Sequence, residues 1–226
     1  MKIVYSYAGK KPSAFTLKMA KLSLKTFRLF TEFPAVLYVD YQNLEYFRHL
    51  GYSEIFVQEL DSDLYNKGCW NIFKLKTYAH QSLPFLHVDF DTAFCEGFQL
   101  NKSDVITEKF RSVSKEEFRT FSIGGSIERM VCSGFIGGYN FGTLFKEHYE
   151  WAKQQVKDFN GSLTYEHLNS LEEYALTQRI LKHNLSVSEL KQGSFLHFWC
   201  ENDKNKEEVH GQIVNSLFEV FNLSQI

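Results

Sequence analysis

At 226 residues and 44% hydrophobic, the chain can bury one large core and is too apolar to be mainly disordered. A formal net charge of -2, with lysines and arginines scattered, does not suggest a nucleic-acid groove or an anionic membrane surface as the principal partner. The four cysteines (Cys69, Cys95, Cys132, Cys200) form no CxxC pair, which argues against a zinc site or redox dithiol. Free thiols are expected, although a disulfide between distant positions stays open. The 22 Phe and 12 Tyr predict a Phe-rich core, with some rings left to line a cleft.

In chain order, Lys2 to Tyr7 (KIVYSY) reads as a strand. Its apolar stretch is too short for the h-region of a signal peptide, so none is expected. No apolar run reaches membrane-spanning length, and a cytoplasmic protein is expected. After the turn-like Ala8–Pro12, Ser13 is the expected N-cap of a helix from Ala14 to Phe30, whose Phe15, Met19, Leu22, Phe27 and Phe30 recur at helical spacing. Ala35 to Asp40 (AVLYVD) is continuously apolar before its acid, as suits a strand buried on both faces of a parallel sheet. A short helix from Leu44 to Leu50 ends at Gly51, a strand covers Glu54–Val57, and a helix runs from Lys67 to His80.

The run Leu83–Asp91 (LPFLHVDFD) is the most informative stretch. Residues two apart in extended chain face the same side, so Asp89 and Asp91 should converge where a strand leaves its sheet. Two such carboxylates repel unless a cation sits between them. A hard divalent ion, Mn²⁺ or Mg²⁺, shared with a substrate phosphate, meets that need.

Beyond it, Asp104 to Phe121 reads as short strands with a charged stretch, Lys115-Glu116-Glu117. Ser122–Met130 reads as loop, and Met130–Ile136 as a strand followed by a turn at Gly137-Gly138. Helices are expected over Asn140–Asp158 and Ser170–Lys182, the second with Glu172 and Glu173 in its first turn. Strands follow over Leu185–Leu190 and Ser194–Trp199, then a helix over Asp203–Phe221. In the first part of the chain strand and helix alternate as in an open α/β sheet, whose ligands sit at the carboxyl ends of its strands; the later part is more mixed. No repeat or linker divides the chain, so a single domain is expected.

In order and spacing, these elements resemble nucleotide-sugar-dependent glycosyltransferases of the GT-A fold. KIVYSY matches the leading strand, AVLYVD the second, PFLHVDFD the metal-binding DxD element, and Cys132-Ser133-Gly134 an Asn-Ser-Gly strand. The resemblance implies an α/β, mostly parallel twisted sheet flanked by helices, Rossmann-like in its N-terminal half. It implies one domain over 1–226, with 1–100 as the nucleotide-binding half and 101–226 as the acceptor-side half. It also implies transfer of a hexose from a nucleoside diphosphate sugar, such as a UDP-sugar, to a glycan, lipid or protein acceptor.

Under this resemblance, Asp91 is a direct ligand of the ion, Asp89 binds it through water or holds the ribose hydroxyls, and His197 stands where some members place a third ligand. Ser6, Tyr7 and Asp40 hold the nucleoside, and Ser133 and Gly134 the donor or acceptor. Lys74 and Lys76 are candidates for the diphosphate, of which at most one faces the cleft; Lys74 lies one turn past Trp70 on the same face, and the alternative is a solvated helix face. Glu172 or Glu173 acts as general base in an inverting transfer. The family's late His-x-x-Gly-x-x-Lys element is only partly matched, since Cys200 occupies the Gly position and Lys204 falls one residue late. A binding protein without catalysis is an alternative. A haloacid-dehalogenase-type phosphatase is another, although Asp91-Thr92-Ala93 lacks that family's Gly-Thr continuation.

Overall fold

A computed structural model describes residues 1–60, 62–66, 70–82, 84–113, 120–198 and 206–223. Lys67, Lys115-Glu116-Glu117, Trp199, Cys200 and Lys204 lie outside the described residues.

Strand β1 (Lys2–Tyr7) is followed by helix α1 (Ala14–Phe30), where Ser13 caps the helix by accepting from the Thr16 amide. Next come β2 (Ala35–Val39), a 3₁₀ turn at Tyr41–Asn43, α2 (Leu44–Phe47), β3 (Glu54–Val57), α3 (Ser62–Asn66), α4 (Trp70–Ala79) and β4 (Phe85–Val88). The second half adds β5 (Thr92–Phe94), β6 (Val105–Thr107), β7 (Phe110–Ser112), β8 (Arg129–Val131), β9 (Phe135–Gly138) and α5 (Leu144–Asp158). It continues with α6 (Tyr165–Asn169), a π turn at Ser170–Tyr174, α7 (Ala175–Lys182), β10 (Val187–Glu189), β11 (Phe195–His197) and α8 (Lys206–Val220). α3 is a short helix that the sequence reading did not include.

Seven strands form one sheet in the order β10-β6-β9-β4-β1-β2-β3. β4, β1, β2 and β3 are mutually parallel, β10 and β6 pair in parallel, and β9 runs antiparallel between β4 and β6. The sheet thus draws on both halves of the chain. Alternation along the central strands fills both faces. Val4, Val36, Tyr38 and Phe85 pack with α4 and α5 through Ile72, Phe73 and Phe145. Ile3, Tyr5, Leu37, Val39, Leu86 and Val88 pack on the other side with α1 through Ala20, Leu24 and Phe27. Burial on both sides explains the near-continuous apolar runs. No helix among the described residues is long and apolar enough to cross a membrane.

The segment expected as one strand over Met130–Ile136 is two, because a turn at Ser133-Gly134 breaks it. Gly137 and Gly138 do not form the expected turn. They are the end of β9, and a Cβ on Gly137 would lie 2.1 Å from the Phe85 carbonyl oxygen, one on Gly138 1.8 Å from that of Asp104. They are glycines because neighbouring backbone occupies the side-chain positions.

Candidate functional site

The strand bearing the aspartates ends at Val88, so Asp89 precedes and Asp91 lies within a turn at Phe90-Asp91, and the two do not share one face of an extended segment. Between them Phe90 packs on the rings of Tyr5, Tyr7 and Phe47. The two carboxylates nevertheless converge. The Asp89 amide donates to the Gly134 carbonyl at 3.0 Å, fixing the start of the turn. β5 begins just after Asp91 and pairs antiparallel with β11, placing His197 opposite Thr92. The Phe198 amide donates to the Asp91 carbonyl at 2.7 Å, which tightens that register. One ligand-type atom each from Asp89, Asp91 and His197 lies within 4.8 Å of the others.

Lys74 enters from α4 and is buried, not part of a solvated helix face. Its ammonium lies 2.9 Å from Asp89 Oδ1, 2.7 Å from Glu172 Oε1 and 3.4 Å from Ser133 Oγ. Burial would lower its pKa, but the two carboxylates outweigh burial and hold it well above the usual lysine range. Burial pushes Asp89 up to about 6 against the pull of Lys74, with Asp91 and Glu172 adding to the rise. About a third of its side chain (32%) opens to the cleft, and water there softens the penalty of burial. His197 is held up at about 10. Burial opposes that charge, and the Asp91 and Glu108 carboxylates overcome it.

Glu172 and Glu173 are not in a helix first turn. The helix begins at Tyr165 behind a Thr164 capping box, and the pair falls in the π turn, both residues buried. π turns occur often at functional sites. Here the turn directs adjacent glutamates to separate partners. Glu172 meets Lys74, Asn71 and Tyr78. Glu173 Oε1 accepts from the Ser133 amide at 2.8 Å and hydroxyl at 3.0 Å, and its other oxygen pairs with Arg111. For either to accept a proton from a substrate hydroxyl, it would have to loosen its hold on a cation.

The remaining expected residues divide. Gly134 lies against His197 and Glu108, since a Cβ there would sit 2.4 Å from His197 Cε1 and 2.6 Å from Glu108 Oε2. Ser6 Oγ bonds His87 Nε2 at 2.8 Å. The Tyr7 hydroxyl donates to the Lys10 carbonyl, and its ring lies on Phe47 and Phe90. Asp40 is buried and accepts from the Gly9 and Asn43 amides, which fixes the β1–α1 loop. The sequence reading missed Glu108, Arg111 and Asn71. Glu108 had a usable signal: Val105-Ile106-Thr107-Glu108 is an apolar strand ending in an acid, as AVLYVD is. Cys95 and Cys132 are free thiols, and Cys69 and Cys200 lie outside the described residues.

A family model described as a family of unknown function (DUF6734) matches residues 19–122, a stretch that includes Lys74, Asp89, Asp91 and Glu108 but not His197. Among solved structures, the chain is similar to one titled PaToxG Glycosyltransferase, with a TM-score of 0.52 and 12% identity, over 97% of this chain and 77% of that one. No curated protein matches the sequence. At that identity the likeness is one of fold. This is a mixed α/β protein with a glycosyltransferase-like fold.

Proposed function

We propose that the chain is a metal-dependent glycosyltransferase that moves a sugar from a nucleoside diphosphate sugar to an acceptor. The observation that carries this reading is the convergence of Asp89, Asp91 and His197 at the carboxyl end of the parallel strands, where open α/β sheets take their ligands. Two carboxylates and an imidazole make a mixed oxygen and nitrogen set, which suits Mn²⁺ better than Mg²⁺, an ion that prefers oxygen alone. Bound there, the ion would supply Lewis-acid neutralisation of the departing diphosphate.

The charges of the site support the need for an ion. Among the described residues, Asp89, Asp91, Glu108, Glu172 and Glu173 outnumber the cations packed among them, Lys74, Arg111 and His197. Lys109 adds only a half-exposed charge at the rim, 3.8 Å from Glu108. Lys74 is already shared by two carboxylates, so a bare diphosphate would meet surplus negative charge. His197 must be neutral to ligate through Nε2. Its Nδ1–H then donates to Glu108 across the 2.7 Å contact, the outer partner that orients a ligating histidine.

A second reading, nucleotide-sugar binding without transfer, is favoured by the cations held on Glu172 and Glu173. The fold likeness favours both over the phosphatase alternative. Calorimetric titration with UDP and GDP, with and without Mn²⁺, tests the proposal. Binding should need the ion and disappear in Asp91→Ala without loss of fold. Equal affinity in wild type and variant contradicts it. Manganese-dependent hydrolysis of a UDP-sugar separates the enzyme from the binding protein.

A further inference from the structure

The far side of His197 carries groups that the proposed ion does not use. Glu108, Cys132 and His197 place one ligand-type atom each within 4.8 Å of the others. Glu108 Oε2 accepts from His197 Nδ1 at 2.7 Å and from Cys132 Sγ at 3.3 Å. All three come from different parts of the fold: Glu108 just after β6, Cys132 just after β8, His197 in β11. The backbone around the thiol is pinned. The Cys132 amide donates to the Lys109 carbonyl at 3.0 Å, and the Cys132 carbonyl accepts from Thr107 Oγ1 at 2.9 Å. Gly134 leaves the space that lets His197 and Glu108 meet, since a Cβ would lie under 3 Å from both.

A thiol, a carboxylate and an imidazole nitrogen are the donors of a borderline-soft ion. Zinc takes such sulfur, nitrogen and oxygen ligands in fourfold sites, with three protein ligands and one open position where the site is not purely structural. The Asp89–Asp91 side offers no sulfur and suits harder ions. We propose that Glu108, Cys132 and Nδ1 of His197 form a second cation site, for thiophilic divalent ions such as Zn²⁺, and that filling it excludes a hard ion from the Asp89–Asp91 side.

The exclusion follows from the imidazole. A neutral ring has one lone pair and one N–H. With a hard ion on Nε2, Nδ1–H donates to Glu108. With zinc on Nδ1, the ring proton stays on Nε2 and faces Asp91, 3.4 Å away. In the ion-free site the His197 ring carries a proton on each nitrogen, so zinc entry forms bonds to sulfur, oxygen and Nδ1 and releases the thiol proton and the Nδ1 proton to water, leaving Nε2–H in place, with no change of oxidation state. Coupling of this kind is reciprocal. The exclusion rests on the hard-ion reading above, whereas the second site stands without it.

Titration of the full chain with Co²⁺ alone tests the site through the near-ultraviolet thiolate-to-cobalt charge-transfer band. The band should appear in wild type and in Asp89→Asn, bleach on adding Zn²⁺, and vanish in Cys132→Ser. No band in wild type, or an undiminished band in Cys132→Ser, overturns the site. Should Cys132→Ser not fold, Glu108→Gln keeps the reporter thiol and must weaken Co²⁺ binding at least about tenfold; unchanged affinity overturns the proposal. Exclusion is read by Mn²⁺ electron paramagnetic resonance on zinc-loaded protein, where Mn²⁺ affinity should fall at least about tenfold, a size typical of coupled sites. Equal affinity overturns the exclusion. A wild type that gives the cobalt band but binds no Mn²⁺ supports the second site and sinks the hard-ion reading.

Discussion

Lys74→Met removes the charge at the centre of the site while keeping most of the side-chain volume. Lys74 sits 2.9 Å from Asp89 and 2.7 Å from Glu172. At such separations each attraction is about 6 kcal/mol for an effective dielectric near 20, most of it offset by desolvation. Breaking a buried pair by removing one partner costs about 3–5 kcal/mol, because the other charge is left buried. Asp89 is 32% open to the cleft and can rehydrate, whereas Glu172 is 2% open and cannot. The loss should therefore come mainly from Glu172 and lie near the lower bound, about 3 kcal/mol. For a chain of this size that lowers Tm by about 6–12 °C. The assay is thermal unfolding followed by circular dichroism. The double variant Lys74→Met/Glu172→Gln should regain part of the loss, since it no longer strands a carboxylate. A Lys74→Met Tm within about 2 °C of wild type, or strictly additive losses in the double variant, would refute the reasoning.

Three further outcomes follow from local geometry. Gly134→Ala places a methyl 2.4 Å from His197 Cε1 and 2.6 Å from Glu108 Oε2; overpacking should cost about 1–3 kcal/mol, with Mn²⁺ affinity down about tenfold or more by electron paramagnetic resonance. Gly137→Ala meets backbone instead, 2.1 Å from the Phe85 carbonyl oxygen and 2.7 Å from Leu86 Cα, so β4 and β9 cannot pair and no dispersed amide spectrum of folded protein should be obtained. His148 is buried, its Nε2–H donates to the Leu171 carbonyl of the π turn, and burial holds its pKa down to about 3. With an unfolded value of about 6.5, the unfolded state takes up the proton first. The stability contribution is therefore complete above about pH 6.5 and is lost as pH falls toward 3, reaching about 2 kcal/mol of loss at pH 5. Urea unfolding of wild type and His148→Gln between pH 7 and pH 5 checks this: the variant should lose that part of the slope, and identical slopes would disprove it.

What could be read from the sequence depended on whether the signal was local. AVLYVD and PFLHVDFD announce themselves because a strand buried on both faces must be apolar throughout, and an acid after it marks the sheet edge. The same logic extends to Val105-Ile106-Thr107-Glu108, yet that strand is only three residues long and its acid passed unnoticed. Gly137-Gly138 misled because a glycine pair signals a turn locally; the crowding that demands glycine comes from Phe85 and Asp104, far away in sequence. The acidic pair Glu172-Glu173 was placed at a helix start because charge near an N-terminus is a local rule, whereas Lys74 and Ser133, the partners that hold the pair, are 98 and 40 residues distant. His197 shows the limit most clearly. A histidine in an apolar strand has no address in the sequence. Its position beside Asp91 is set by the antiparallel pairing of β11 with β5, and its second partner, Glu108, by a strand on another sheet. The site is therefore a product of topology: the parallel strands deliver the aspartates, and the chain's later return brings the imidazole beside them.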